Sequence, residues 1–205
     1  MGDQKRILIL FAHPAIQKSR VNSRMAEALQ DIGNLTFHNL YEAYPDFNID
    51  VKQEQELLLQ HDIIIWHHPF YWYSSPSILK EWIDLVLEHG FAYGRKGTML
   101  KGKKVMTAIT TGGRREAYQQ GGFNNFTIRQ LLSPFEQTVK LCYMDYLPPF
   151  VVHGSHLLNE EEIGIQAALY RDAVLALRDG LFEEEDLQQA EYLNDVMVKF
   201  QQKLN

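Results

Sequence analysis

The sequence predicts an α/β fold: a doubly wound, five-stranded parallel sheet with helices on both faces and an added C-terminal helix. Three observations carry this. Runs such as Ile7–Phe11 and Asp62–Trp66 are short and continuously apolar at their centres, as in strands covered on both faces. Segments with helical spacing separate them. Strand and helix alternate along most of the chain without an internal repeat, the pattern of a parallel sheet. The expected strand order is 2-1-3-4-5, and ligands of such sheets lie beyond the carboxyl ends of the strands.

The elements follow in order. Ile7–Phe11 forms the first strand and Ala12 to Arg20 a loop. Val21, Met25, Ala28, Leu29 and Ile32 fall on one helical face, and Gly33 can end that helix. Leu35–Asn39 is the second strand, and Leu40 to Ile49 reads as a loop. Asp50 can cap a helix running to Gln60. Asp62–Trp66 is the third strand, followed by a polar-aromatic loop from His67 to Pro76. Ile78, Trp82, Leu85 and Val86 mark a helix, and His89 to Gly102 a long loop. The fourth strand runs from about Lys104 to Thr110. The helix after its loop spans roughly Ile128 to Leu141, with Pro134 able to break it or delay its start. Tyr146 to Val152 is the fifth strand, and Pro148-Pro149 confines it to an edge or a bulge. Ile163 through Leu181 and Ala190 through Leu204 repeat apolar residues at threes and fours, so both read as amphipathic helices. Between them the acidic run Glu183–Asp186 suits a helix start. All 205 residues are assigned to one domain, with 181–205 as a helical extension.

Composition narrows the partners. Apolar residues make up 45% and charged residues 22%, both ordinary for a globular chain. The net charge of −6 argues against a nucleic-acid surface. A single cysteine, Cys142, excludes an intramolecular disulfide and fits a reduced, cytoplasmic compartment. No apolar run approaches a membrane span, and Met1–Arg6 lacks the features of a signal peptide.

Three strand-end loops carry candidate chemistry. The first holds His13 and the turn Ser19-Arg20-Val21-Asn22 at a helix start, where free N–H groups favour an anion such as phosphate; helix capping by Ser19 is the plainer alternative. The second, Pro69-Phe70-Tyr71-Trp72-Tyr73, concentrates four aromatic rings that can stack on a planar ligand or plug an interface. The third, Thr110-Thr111-Gly112-Gly113, offers hydroxyls and a backbone that a ligand edge can approach closely; it continues to Tyr118. An anion site, an aromatic wall and a polar cradle together suit a phosphorylated planar cofactor, and flavin mononucleotide (FMN) is the economical choice, with FAD the alternative.

Several blocks extend this. They are Ala12-His13-Pro14, Tyr44-Pro45-Asp46-Phe47-Asn48-Ile49-Asp50, His68-Pro69 leading into Trp72-Tyr73, and Leu79-Lys80-Glu81-Trp82. Gly90-Phe91-Ala92-Tyr93-Gly94, Thr110 to Gly113 and Leu147-Pro148-Pro149-Phe150 complete the set. On these the chain resembles the flavodoxin-like NAD(P)H:quinone oxidoreductases, and within them the ancillary subunits of the glutathione-gated Kef potassium-efflux systems. The blocks span roughly residues 7 to 155; the Tyr-Pro-Asp-Phe block points to the ancillary branch. The resemblance implies that His13 and Ser19–Asn22 hold the flavin phosphate and ribityl chain. It implies that Phe70–Tyr73 flank the ring and that Thr110–Gly113 bond its polar edge. Tyr118 matches a tyrosine that supports charge developing on the flavin. The histidine that partners it in the reductases is Asn124 here, which cannot take up a proton at neutral pH. Phe91 and Tyr93 match positions near the substrate face. The implied reaction is two-electron transfer from NAD(P)H through flavin to a quinone or another electrophile, in a homodimer. The implied alternative is a regulatory subunit on a membrane potassium/proton antiporter, peripheral at the inner face of the membrane.

Other residues read more plainly. His67 and His68 point opposite ways if extended, and with no zinc-type spacing nearby no metal is expected. Cys142 reads as a buried structural thiol. Arg114-Arg115 is either a solvated loop or a contact for a nicotinamide-cofactor phosphate.

Overall fold

A computed structural model of the protein describes residues 4–204. The readings made on Met1–Asp3, and on the side chain of Leu204, lie outside the described residues. The strands are β1 (Ile7–Phe11), β2 (Leu35–Asn39), β3 (Ile63–Pro69), β4 (Lys104–Thr110), β5 (Asp145–Tyr146) and β6 (Phe150–Val152). They form one parallel sheet in the order β2-β1-β3-β4-β5, with β6 also on β4. β5 and β6 are the expected fifth strand cut in two. Leu147-Pro148-Pro149 separates the halves, since proline has no N–H for the ladder.

Side chains alternate between two cores, as a two-residue strand period requires. Leu8, Leu10, Ile64 and Trp66 face α2 (Leu40–Ala43), α3 (Val51–Gln60), α4 (Ser77–Val86), α5 (Ile128–Leu131) and α6 (Ser133–Leu141). Ile7, Ile9, Phe11 and Ile65 face α1 (Arg20–Glu27), α7 (Glu160–Arg178), α8 (Glu184–Gln189) and α9 (Leu193–Leu204).

Five expectations need correcting. The helix at Val21 ends at Glu27 and not at Gly33; successive turns replace it through Asp31, which has φ +63°. Leu40 to Ile49 is not all loop, because Asn39 caps the short α2 through the Tyr41 N–H. The third strand continues past Trp66 to Pro69, since His67 and His68 are buried and pair in register with Ala108 and Ile109. The helix expected through Leu181 ends at Arg178: the N–H groups of Gly180 and Leu181 bond the carbonyls of Leu177 and Ala176, with Gly180 at φ +65°. The extension beyond holds two helices, α8 and α9, and not one. The break foreseen near Pro134 is real, separating α5 from α6. The cap by Asp50 is also as read, its carboxylate accepting the Gln53 N–H at 3.1 Å.

The edge beside β6 is covered in an unusual way. Asn194 accepts the Val151 N–H at 2.9 Å and donates to the Val151 carbonyl at 3.1 Å. The Leu193 N–H bonds the Pro149 carbonyl. One side chain thus does what a further strand would do at an exposed edge.

Candidate functional site: a cleft at the carboxyl ends of the strands

A cleft of about 460 Å3 opens where β1, β3 and β4 end, within the usual range for small-molecule sites. His13, Ser19 and Asn22 line one side, Pro69 to Trp72 another, and Thr110 and Gly112 the floor.

The first wall is built by capping. Ser19 has an extended backbone, and its hydroxyl accepts the Asn22 N–H at 3.2 Å, which starts α1. Asn22 is buried, and its amide donates to Ser19 Oγ at 2.9 Å and to Thr110 Oγ1 at 3.0 Å. It ties the first loop to the end of β4. Its Oδ1 is buried and has no hydrogen-bond partner among the described residues. Val21 gives its side chain to the core, so only its backbone serves the helix start. His13 accepts the Ala15 N–H at Nδ1, and burial holds its pKa below the ordinary histidine value. Arg20 is engaged elsewhere: it bonds Glu160 and the Leu158 carbonyl, and it lines an adjoining pocket with Lys18, Ser19 and Asn22.

The aromatic wall is strained. Trp72 and Tyr73 stand at φ +49° and +63°, the paired left-handed positions of a tight turn closed by Ser74 N–H to the Tyr71 carbonyl. Residues with a Cβ avoid this region, at a cost of roughly 1–2 kcal/mol each. The turn holds Trp72 92% exposed over the cleft mouth. Phe70 is buried, and its N–H bonds the Thr110 carbonyl, so this wall is hung from β4 as well.

The cradle is zipped to the loop after β6. The Thr111 N–H bonds the Val152 carbonyl, the Gly154 N–H the Gly113 carbonyl, and the Ser155 N–H the Thr111 carbonyl. Thr111 Oγ1 donates to the Gly113 carbonyl at 2.8 Å and lies 3.2 Å from His153 Nδ1. Burial lowers the His153 pKa to about 4. A Cβ on Gly112 would stand 3.3 Å from the His156 ring, and one on Gly113 would stand 3.0 Å from the Tyr118 ring. Both glycines are therefore places where ring and backbone meet. Tyr118 is buried, and desolvation raises its pKa, so at neutral pH it is a phenol able to donate. Asn124 is half-buried and accepts the Tyr73 hydroxyl at 3.1 Å.

The fold thus gathers His13, Ser19, Asn22, Pro69, Phe70, Tyr71, Trp72, Thr110 and Gly112 around one cleft. Tyr73, Thr111, Gly113, Tyr118 and Asn124 form its supports. Phe91 and Tyr93 do not line it; they are half-buried in the long loop after α4 and pack on the core. Four lining residues are not among those the sequence singles out: Ala15 and Lys18 in the first loop, and, in a fourth loop, Ser155 and His156. The signal for the last two was present: Gly154-Ser155-His156 follows the fifth strand and so also leaves a carboxyl end. Arg115, read as solvated or anion-binding, instead bonds Asp195 and Glu191 and lies over the Tyr192 ring. His67 and His68 face opposite sides of the sheet, against Tyr170 and Phe135, and burial lowers their pKa values to about 3 and about 4. Cys142 is buried, and desolvation raises its thiol pKa to about 11, which fits a structural role. No described helix is long and apolar enough to cross a membrane.

This architecture is shared with known proteins. The family model of the flavodoxin-like fold (Flavodoxin_2) matches residues 5–174. The glutathione-regulated potassium-efflux system ancillary protein KefF of Klebsiella aerogenes is 43% identical over 169 residues, covering 82% of this chain and 94% of that protein. The crystal structure of general stress protein 14 from Treponema denticola, in complex with FMN, superposes with a TM-score of 0.79 at 39% identity, covering 86% of this chain and 99% of that one. A P. pentosaceus NADPH-quinone reductase gives 0.74 at 35%, covering 82% and 96%. By sequence and by fold, the chain belongs to the flavodoxin-like fold family.

Proposed function

We propose that the cleft holds FMN, with FAD the alternative, and that the chain is an NAD(P)H-dependent reductase of quinones or other electrophiles. The observation that carries this is the cleft itself. One helix start, one aromatic turn and one glycine cradle, all at carboxyl ends of neighbouring strands, are held together by Asn22 and Thr110. The residues fit the group. The partnerless Asn22 Oδ1 can accept from a ribityl hydroxyl, and Gly112 leaves room that a side chain would fill. The N–H groups opening α1, with the Ser19 hydroxyl and Lys18 beside them, suit a phosphate. The related FMN complex supports the same choice.

The bound flavin would supply two-electron hydride chemistry, and the protein would bind, orient and tune. Tyr71 and Trp72 would cover a ring face and exclude water from it. Thr110 to Gly113 would hold the ring edge. Tyr118, kept protonated by burial, would donate toward charge gathering near Gly113. Asn124 would steady Tyr73 and carry no proton. Exposed aromatics at the rim, with Phe123 89% accessible, support a homodimer closing over the cleft. In that arrangement Phe91 and Tyr93 would serve a substrate face formed between subunits. The 205 residues would act as one domain in the cytoplasm.

The test is direct. Purified protein, reconstituted with FMN, is expected to show a bound-flavin absorbance spectrum, release FMN by mass spectrometry, and oxidise NADH or NADPH with a soluble quinone. A colourless protein that takes up neither FMN nor FAD ends the proposal.

The likeness to potassium-efflux ancillary proteins favours a second, compatible reading, a regulatory subunit on a membrane antiporter. Co-purification with a Kef-type antiporter, and loss of efflux on deletion, tests it.

A further inference from the structure

A second cavity, of about 370 Å3, lies at the opposite end of the sheet, where β3 and β4 begin. Its rim carries Lys5, Lys101, Lys103 and Lys104 against the lining carboxylate Asp62, with Glu184 beside Lys104. Asp62 is already committed, accepting the Arg6 N–H at 2.8 Å. In a chain of net charge −6 this is a locally basic spot. Its wall is apolar, formed by Met99, Leu177, Phe182 and Leu187.

The four lysines are not equivalent. Lys103 Nζ donates to the His61 carbonyl, and burial lowers its pKa. Lys104 pairs with Glu184 at 3.4 Å. Lys5 and Lys101 are exposed, and their ammonium groups make no ion pair or hydrogen bond among the described residues. Two uncommitted cations therefore stand at the mouth of a half-apolar cavity. The roof is an addition to the fold: Gly180, Phe182 and Leu187 lie beyond the residues matched by the family model. The left-handed Gly180 turns the chain back over the start of β4. An inorganic anion would leave the apolar wall wet, and a neutral apolar molecule would leave both cations unmet. A ligand with both parts satisfies both.

We propose that this cavity binds a small amphiphilic anion, an apolar chain bearing one carboxylate or phosphate head, with the chain against Met99, Leu177 and Leu187 and the head between Lys5 and Lys101. The site is independent of the cleft at the other end of the sheet.

The experiment titrates the full-length protein with dodecanoate below its micelle concentration, by calorimetry and by methyl NMR, with and without FMN present. Saturable binding is expected, with shifts concentrated at Met99, Leu177 and Leu187. The K5E/K101E variant changes only exposed side chains and should fold normally. It is expected to weaken binding about tenfold or more, and dodecanol should bind wild type more weakly by a similar factor. Dodecyl phosphate in place of dodecanoate shows which head is preferred, and tighter binding of either supports the site. The proposal is overturned by a lack of saturable binding, by unchanged affinity in K5E/K101E, or by the alcohol binding as tightly as the acid. Sedimentation with phosphatidylglycerol vesicles and no response to monomeric dodecanoate would also overturn it, indicating a lipid surface in its place. Because the titration is run with and without FMN, its failure is separable from failure of the flavin reading.

Discussion

Asn22 joins two parts of the cleft wall that are far apart in sequence, since its amide spans Ser19 in the first loop and Thr110 at the end of β4. Removing it takes one donor from the buried Thr110 hydroxyl and leaves Ser19 Oγ with only the backbone N–H of residue 22. Asn22→Ala should cost about 1–2 kcal/mol in FMN binding, or roughly 5- to 30-fold in affinity, read by flavin fluorescence titration. Trp72 poses the opposite case. Its left-handed backbone is strain without much packing, because the side chain is almost fully exposed. Trp72→Gly removes the Cβ conflict and should leave stability unchanged or raise it by about 1 kcal/mol in urea unfolding, while FMN affinity falls. Lower stability together with unchanged affinity would show that the turn is ordinary packing.

The far-side helices are locked by one buried carboxylate. Glu54 in α3 accepts from His38 Nε2 of β2 at 2.8 Å, from the Tyr44 hydroxyl at 2.6 Å, and from Trp82 Nε1 of α4 at 2.7 Å. Burial raises its pKa, but the three hydrogen bonds outweigh it and hold it below the ordinary glutamate value. With a lowered folded pKa, the stabilisation is complete above the unfolded pKa, near 4.5, and is lost as pH falls through the folded value. Glu54→Gln should therefore destabilise by about 3 kcal/mol at pH 7, and the gap from wild type should narrow below pH 4.5. A gap that does not change with pH would mean that Glu54 acts through shape alone. This network also joins the Tyr-Pro-Asp-Phe and Leu-Lys-Glu-Trp blocks in space. Tyr44 and Trp82 meet on a residue that neither block contains.

At the scale of the whole molecule, the extension after Gly180 is built into the fold. α9 covers β6, Asn194 caps its edge, and Asp195 and Glu191 hold Arg115 next to the cradle. Cutting the chain after residue 180 would bare an apolar strand edge and free the Arg115 loop. Light scattering should show association of the truncated protein, and its thermal midpoint should fall by several degrees. Asn194→Ala, which removes only the edge hydrogen bonds, should cost about 1–3 kcal/mol. A truncated chain that stays monodisperse and equally stable would mean that the extension is an independent appendage.

How much of this was legible depended on the range of the interaction involved. β1 and β4 could be bounded from their apolar runs, and α3 from its Asp50 cap, because strand burial and capping are local. β3 was read three residues short, since two histidines look polar until both layers close over them. The three strand-end loops were legible because a parallel sheet brings its carboxyl ends together once strand order is known. The fourth, at Ser155 and His156, also leaves a carboxyl end, and the pairing of Thr111 with Val152 brings it to the cleft. The chain alone determined the sheet, its order and the identity of the loops, which are written in periodicity and turn chemistry. Tertiary structure alone decided that Arg20 turns to Glu160, that Arg115 turns to Asp195, and that Asn22 bridges to Thr110. Those choices depend on which side chains meet across long separations, and no local pattern records that.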